Sequence, residues 1–168
     1  MAVFSTPFST CDLCDEHKSD GSGRFRVVPP VFQAYGGVPA FAGPVVTLKV
    51  FEDNTLVKEV LDTPGEGQVL VVDGGGSLRR ALVGGNIAKA AARNGWAGVV
   101  VDGCVRDIAE LNAEAIGIRA LALIPLPTEK RNEGQRNLPV QIQGVWVQPG
   151  DWLYADADGI VISHQPLI

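Results

Sequence analysis

The sequence predicts a mixed α/β fold in a single domain, and three observations carry that prediction. Short apolar runs, "VLVV" before Asp73 and "GVVV" before Asp102, alternate with helix-like segments, the pattern of a parallel sheet with right-handed crossovers. The last third, "VQIQGVWVQPGDWLYADADGIVIS" (140–163), reads instead as antiparallel strands joined by Pro-Gly-Asp and Asp-Ala-Asp-Gly turns. At 168 residues, with 20 Gly and 11 Pro, the chain has the size of one ordinary domain, able to bury about 70% of its unfolded surface, and a loop content that does not suit a helical bundle.

Taken in order, residues 11–35 read as a helix, a flexible turn around "SDGSGR" and a short apolar segment. "GPVVTLKVFEDN" (43–54) is rich in β-branched residues and predicts a strand that stops at Asp53-Asn54. "TLVKEVLDT" (55–63) follows as an amphipathic helix with Leu56, Val57, Val60 and Leu61 on one face, broken by "PGEG". "QVLVVDGGG" (68–76) is a buried strand entering a tight turn. "GGNIAKAAARNGW" (84–96) is a helix with its start signal in Gly84, Gly85 and Asn86 and its stop signal in Asn94-Gly95. A buried strand over 97–103, a helix over 107–116 and a strand over 118–125 complete the alternation.

The net charge of −5 and pI near 5.0 argue against a nucleic-acid partner, whose phosphates need clustered Lys and Arg. The one basic stretch, "EKRNEGQR" (129–136), is interleaved with acids and reads as a solvated loop. The opening "MAVFSTPFST" lacks the basic and apolar regions of a leader, and no apolar run approaches the ~20 residues that span a bilayer, so no membrane association is expected and the location expected is cytoplasmic. Three cysteines do not make a disulfide scaffold, and Cys11-x-x-Cys14 stands without a second such pair. His17 and His164 lie at opposite ends of the chain, which leaves little material for a histidine zinc site or a Ser-His-Asp triad. A metal here would need oxygen ligands and would be a hard cation such as Mg²⁺ or Mn²⁺.

Two features bear chemistry. In "VVVDGCVRD" (99–107) a buried run delivers Arg106 and Asp107 to the carboxyl end of a parallel strand, where open α/β sheets hold ligands. Neighbours on a continuing strand face opposite ways, so both serve one site only if the chain has turned, and Gly103 is the expected turning point. In "VGGN" (83–86) the free N–H groups and dipole of a helix start suit a carboxylate or phosphate. Each feature also has a plainer reading. "DIAE" (107–110) fits a capping box with Asp107 as N-cap and Glu110 at N3, Gly84-Gly85-Asn86 fits a simple helix start, and Arg106 fits a surface cation. "DGGGSLRR" (73–80) lacks the Gly-Lys-Ser/Thr ending of a phosphate loop, no glycine-rich fingerprint for a methyl donor is present, and the Asp156–Asp158 turn falls short of a calcium loop.

The segments "FAGPVVTLKVFEDN" (41–54), "VLVVDGGGSLRRALVGGN" (69–86), "NGWAGVVVDGCVRD" (94–107) and "GDWLYADADGIVIS" (150–163) together resemble the RraA-like proteins, named for a regulator of ribonuclease E activity. That family includes the class II 4-hydroxy-4-methyl-2-oxoglutarate aldolases. The resemblance implies a β/β/α sandwich like the phosphohistidine swivelling domain, assembled as a homotrimer with sites between subunits. It implies further that Arg106 binds a small 2-oxo acid, that Asp107 ligates Mg²⁺ or Mn²⁺, and that the backbone of Gly84, Gly85, Asn86 and Ile87 cradles the carboxylate. One site would cleave 4-hydroxy-4-methyl-2-oxoglutarate to two pyruvates and decarboxylate oxaloacetate, since both reactions pass through the same pyruvate enolate. The chain departs from the pattern at Gly85, where many of the family's aldolases carry Asp. Members with this glycine have an acid three residues after the metal ligand, so Glu110 is expected to hold a water of the metal's shell. Asp73, Asp102 and Arg79 stand near enough to these segments to be further candidates. The competing class is a non-enzymatic regulator that binds ribonuclease E; an intact Arg106-Asp107 pair, with no distinctive docking stretch, favours the enzyme.

Overall fold

A computed structural model describes residues 6–168; residues 1–5, part of the stretch read above for a leader, lie outside the described residues. Helix α1 (Thr10–His17) and the short strands β1 (Phe25–Val27) and β2 (Gln33–Tyr35) precede β3 (Phe41–Lys49), α2 (Thr55–Leu61) and β4 (Val69–Asp73). Then come β5 (Ala81–Val83), α3 (Gly85–Arg93), β6 (Gly98–Val105), α4 (Ile108–Ala113) and β7 (Gly117–Leu123). β8 (Gln135–Arg136), the hairpin β9 (Val140–Ile142) and β10 (Val145–Val147), then β11 (Trp152–Ala155) and β12 (Ile160–Ser163) end the chain.

The main sheet runs β1-β12-β11-β3-β4-β6-β7-β2, with β3, β4, β6 and β7 parallel and the flanking strands antiparallel. The mixed α/β class predicted from the alternation is the class observed. Every residue of β6 is buried, as a central parallel strand with both faces covered must be. On one face, Leu56, Val57, Val60 and Leu61 of α2, Ile87, Ala88 and Ala91 of α3 and Leu111 of α4 pack on Leu70, Val72, Val99 and Val101. On the other, Val140, Ile142 and Val147 of the hairpin, with Leu153 and Ile162, cover Val71 and Val100. The layers are therefore strand, sheet and helix, and each buried Val or Leu contributes about 1.5–3 kcal/mol.

The sequence-derived strands and helices occur within a few residues of their expected limits, with one instructive correction. The expected turn at Gly103 is absent. β4 leaves β6 after the Asp73–Asp102 pair, and β5 takes its place beside Cys104 and Val105, so the backbone there keeps strand partners and continues. A register shift between Val101 and Cys104 against β7 absorbs the change.

The stretch 124–136 crosses the carboxyl edge of the parallel strands: residues 129–136 are all exposed, as the solvated-loop reading expects, while the backbone is pinned at several points. Pro125 and Pro127 bias the residues before them to extended conformations. Ile124 N–H donates to Val105 O (3.0 Å) and Ala81 N–H to Leu126 O (2.8 Å), while β8 pairs with β3. The far end is held by Asp53, 1% exposed, which accepts from Thr55 N–H (3.0 Å) and Oγ1 (2.6 Å), Arg131 N–H (2.9 Å) and Glu133 N–H (3.1 Å). Burial raises the Asp53 pKa, but these donors outweigh it and hold the carboxyl at about 2, against an ordinary 3.8.

A depressed folded-state pKa contributes stability above the unfolded value that is lost as pH falls through the folded one. Urea titrations of Asp53→Asn should show a loss of about 1–3 kcal/mol at pH 7 and a flatter stability profile from pH 4 down to about 2 than wild type. An unchanged acid limb would remove Asp53 from this role.

Candidate functional site

Arg106 and Asp107 leave β6 at the edge crossed by the 124–136 segment. Arg106 N–H donates to Val83 O (2.9 Å), which fixes it beside the start of α3, and its Nη1 donates to Pro125 O (3.3 Å). Asp107 makes the turn: its backbone is left-handed (φ 66°, ψ 52°), a conformation Asp tolerates better than most residues. The two side chains thereby share one site, with Arg106 Nε 4.0 Å from Asp107 Oδ2 and each side chain about 40% exposed (40% and 39%).

The capping-box reading of 107–110 is corrected by the same backbone. Asp107 stands at the N-cap position of α4, but its carboxylate makes no cap bond there. The left-handed turn aims it at α3, where Oδ2 accepts from Gly85 N–H at 2.9 Å. Gly84 is the N-cap of α3, and the next first-turn amides, Asn86 and Ile87, have no acceptor within the helix. Asn86 is exposed and Ile87 is buried in the core. Thus Gly84, Gly85, Asn86, Arg106 and Asp107 meet at one rim, and Ile87 joins them through its backbone.

A side chain at either glycine would have to displace the neighbours it meets. A β-carbon at Gly84 would stand 2.9 Å from Asp107 Oδ2 and 3.3 Å from Arg106 Nε; one at Gly85 would fall on Glu110 Oε2. Glu110, exposed on the first turn of α4, thus brings its carboxylate into the space a side chain at 85 would fill. No group of three or more His, Cys, Asp or Glu among the described residues is placed to hold a metal ion, so a cation here would rely on few protein ligands.

Asp102, Asp73 and Arg79 are instead taken up by structural partners. Asp102, buried, accepts from Gln143 N–H (3.2 Å) and Nε2 (2.8 Å) and fastens the hairpin turn; Asp73 accepts from Gly75 N–H (2.9 Å). Arg79 grips Glu52 through Nε (2.6 Å) and Nη2 (2.7 Å), and Ser77 donates to the same carboxylate (2.6 Å). Those hydrogen bonds, Arg79's foremost, hold Glu52 at about 2. Asp156 accepts from Thr10 N–H (2.8 Å) and Oγ1 (2.6 Å), so its turn anchors α1. Sequence reasoning missed the Glu52–Arg79 pair, although adjacent acids at a strand's end facing "SLRR" were a signal. Two concavities, about 740 Å³ around Cys11, Cys14 and Arg119 and about 840 Å³ around Arg26 and Trp146, lie elsewhere. In the first, Asp156 already takes the Thr10 amide at the start of α1, and the second has an Arg26–Asp151 ion pair but no helix on its lining, so chemistry rather than volume selects the Arg106–Asp107 rim.

A parallel sheet whose carboxyl edge pairs an Arg-Asp turn with a glycine-started helix defines a class, and comparison with known proteins identifies it: the chain belongs to the RraA-like family, described as Aldolase/RraA, whose model matches residues 10–162. A relative in Albidiferax ferrireducens named "Putative 4-hydroxy-4-methyl-2-oxoglutarate aldolase" is 65% identical, with 96% of this chain and 98% of that protein covered. One of the same name in Cupriavidus necator is 56% identical (94% and 96% covered). Among solved structures, the RNA-processing inhibitor RraA from Thermus thermophilis superposes with a TM-score of 0.90 at 47% identity (97% and 96% covered). A Geobacillus kaustophilus structure described as an S-adenosylmethionine:2-dimethylmenaquinone methyltransferase does so with 0.89 at 44% identity (95% and 97% covered).

The packing of Gly85 against Glu110 is open to a stability test. Gly85→Ala should lower the melting temperature by about 4 °C or more, as overpacking does, and Glu110→Ala in the same chain should recover part of that loss, since it removes the Glu110 carboxylate but keeps its β-carbon. Additive effects in the double variant would show that the two positions do not share space.

Proposed function

We propose that the chain is a divalent-metal-dependent lyase that cleaves 4-hydroxy-4-methyl-2-oxoglutarate to two pyruvates and decarboxylates oxaloacetate in the same site. The observation that carries the reading is the convergence of Arg106, Asp107 and Glu110 on the start of α3. The names of the relatives in Albidiferax and Cupriavidus support it.

The donor set fits a hard cation. Mg²⁺ is commonly held by one or two carboxylates, with waters and substrate oxygens filling the remaining positions. Asp107 meets that need, since one backbone donor leaves most of a carboxylate's lone pairs available. When bound, the cation supplies a Lewis acid for the substrate's 2-oxo and carboxylate oxygens.

This chain's own residues do the rest. Arg106 sets a permanent positive charge against the same dianion, and the Asn86 and Ile87 amides at the dipole's positive end receive its carboxylate. Glu110 takes the proton of the C4 hydroxyl through a water it orients. The C3–C4 electron pair then remains with the three-carbon fragment as pyruvate enolate, and C4 becomes the carbonyl of the second pyruvate. With oxaloacetate the bond to the C4 carboxylate breaks instead, CO₂ departs, and the same enolate is left to be protonated. Exposed Leu78, Ile108, Leu123 and Leu126 stand on segments that leave this edge, which supports an assembly, a homotrimer, in which a neighbouring subunit roofs the site.

Pyruvate release from both substrates, with Mg²⁺ or EDTA, tests the reading. Asp107→Ala should abolish metal-dependent turnover, and Glu110→Ala should lower it about 100-fold with only a small change in melting temperature. If Glu110→Ala moves the melting temperature alone, that residue is structural. A second reading, inhibition of a ribonuclease E, is favoured by the name of the Thermus structure. A folded wild-type protein that releases no pyruvate from either substrate but slows ribonuclease E would establish it.

A further inference from the structure

The same edge holds a second arginine with no counter-charge of its own. Arg80 immediately precedes β5, whose last residue, Val83, leads to the Gly84-Gly85 start of α3. Its Nη1 donates to Pro127 O at 3.0 Å, just as Arg106 Nη1 donates to Pro125 O at 3.3 Å. The two anchoring residues are two positions apart on one extended segment, so about 7 Å is the most that separates them. Arg79, the neighbour of Arg80, takes both oxygens of Glu52, and Ser77 takes one of them as well. Glu52 attracts Arg80 too, but from farther off. Among the described residues Arg80 has no ion pair, and a carbonyl satisfies a donor without cancelling its charge.

We propose that Arg80 is the specificity-determining residue for the distal carboxylate of a 2-oxo diacid whose 2-oxo end lies at Arg106 and Asp107. This rests on the 2-oxo acid reading above. In a five-carbon diacid the two carboxylate carbons are separated by four C–C bonds, roughly 5 Å when extended, a span that two arginines so anchored can bracket. The arrangement also orders the substrates. The distal carboxylate of 4-hydroxy-4-methyl-2-oxoglutarate survives the reaction and can stay paired throughout. In oxaloacetate the second carboxylate is the group that departs, and an ion pair on it would hold back the electrons that must leave it. Arg80 therefore selects the longer diacid.

The test is binding, with Mg²⁺ present, of 2-oxoglutarate and of 2-oxopentanoate, which has the same chain length and lacks the distal carboxylate. Calorimetry on the wild type should show the diacid binding about tenfold tighter or more, the scale of one charge-assisted pair. Arg80→Ala should bind the two alike, with its affinity for 2-oxopentanoate unchanged, which also reports that the site is intact. Arg80→Lys should recover part of the preference. Equal binding of both acids by the wild type, or an equal loss of both in Arg80→Ala, would overturn the role of Arg80 while leaving the 2-oxo acid reading standing. A wild type that binds neither acid would overturn that reading and the proposal together.

Discussion

The hydrogen bond from Gly85 N–H to Asp107 Oδ2 is the contact on which the carboxyl edge depends. It joins the first turn of one helix to the residue that ends the central strand. Asp107 reaches it only from a left-handed backbone, which costs a non-glycine residue about 1–2 kcal/mol. The contact it permits offsets part of that cost, since the Asp107 side chain is 39% exposed and shares its oxygens with solvent. The same turn starts α4, through Leu111 N–H to Asp107 O at 2.9 Å, and so decides where Glu110 falls. One backbone conformation thus positions a carboxylate, an arginine and a second acid.

Around this contact the edge is held by carboxylates that collect donors from several segments. Asp53 gathers two amides of the crossing segment and the first residue of α2, while Glu52 gathers Arg79 and Ser77. Parallel strands all expose their carboxyl ends on one side, and here that side is laced by side-chain bonds that add to the short pairing of β8 with β3. The rigidity this gives lets two arginines be held against carbonyls of a single extended segment.

Much of this is legible in the sequence, for reasons specific to each element. β4 and β6 are visible because strands buried on both faces are uninterrupted apolar runs, and α2 because its four core residues follow the helical repeat. β5 is hidden: three apolar residues carry no periodicity, and only its role as the replacement neighbour of β6 makes it a strand. Conformational freedom alone points to Gly103 as the turn, whereas the partners of Cys104 and Val105 keep that glycine extended and the turn moves to an aspartate. The residues of the rim are individually legible as an Arg-Asp pair, a glycine-rich helix start and an acid three positions on. That Glu110 fills the space beside Gly85 is not, because it depends on the approach of two helices whose separation no spacing rule encodes.

The shared space at Gly85 and Glu110 makes two distant positions behave as one. A side chain at 85 and the carboxylate of Glu110 are alternative occupants of a single volume, so what position 85 tolerates is set by where the first turn of α4 sends its acid, and a change at either position is answered at the other.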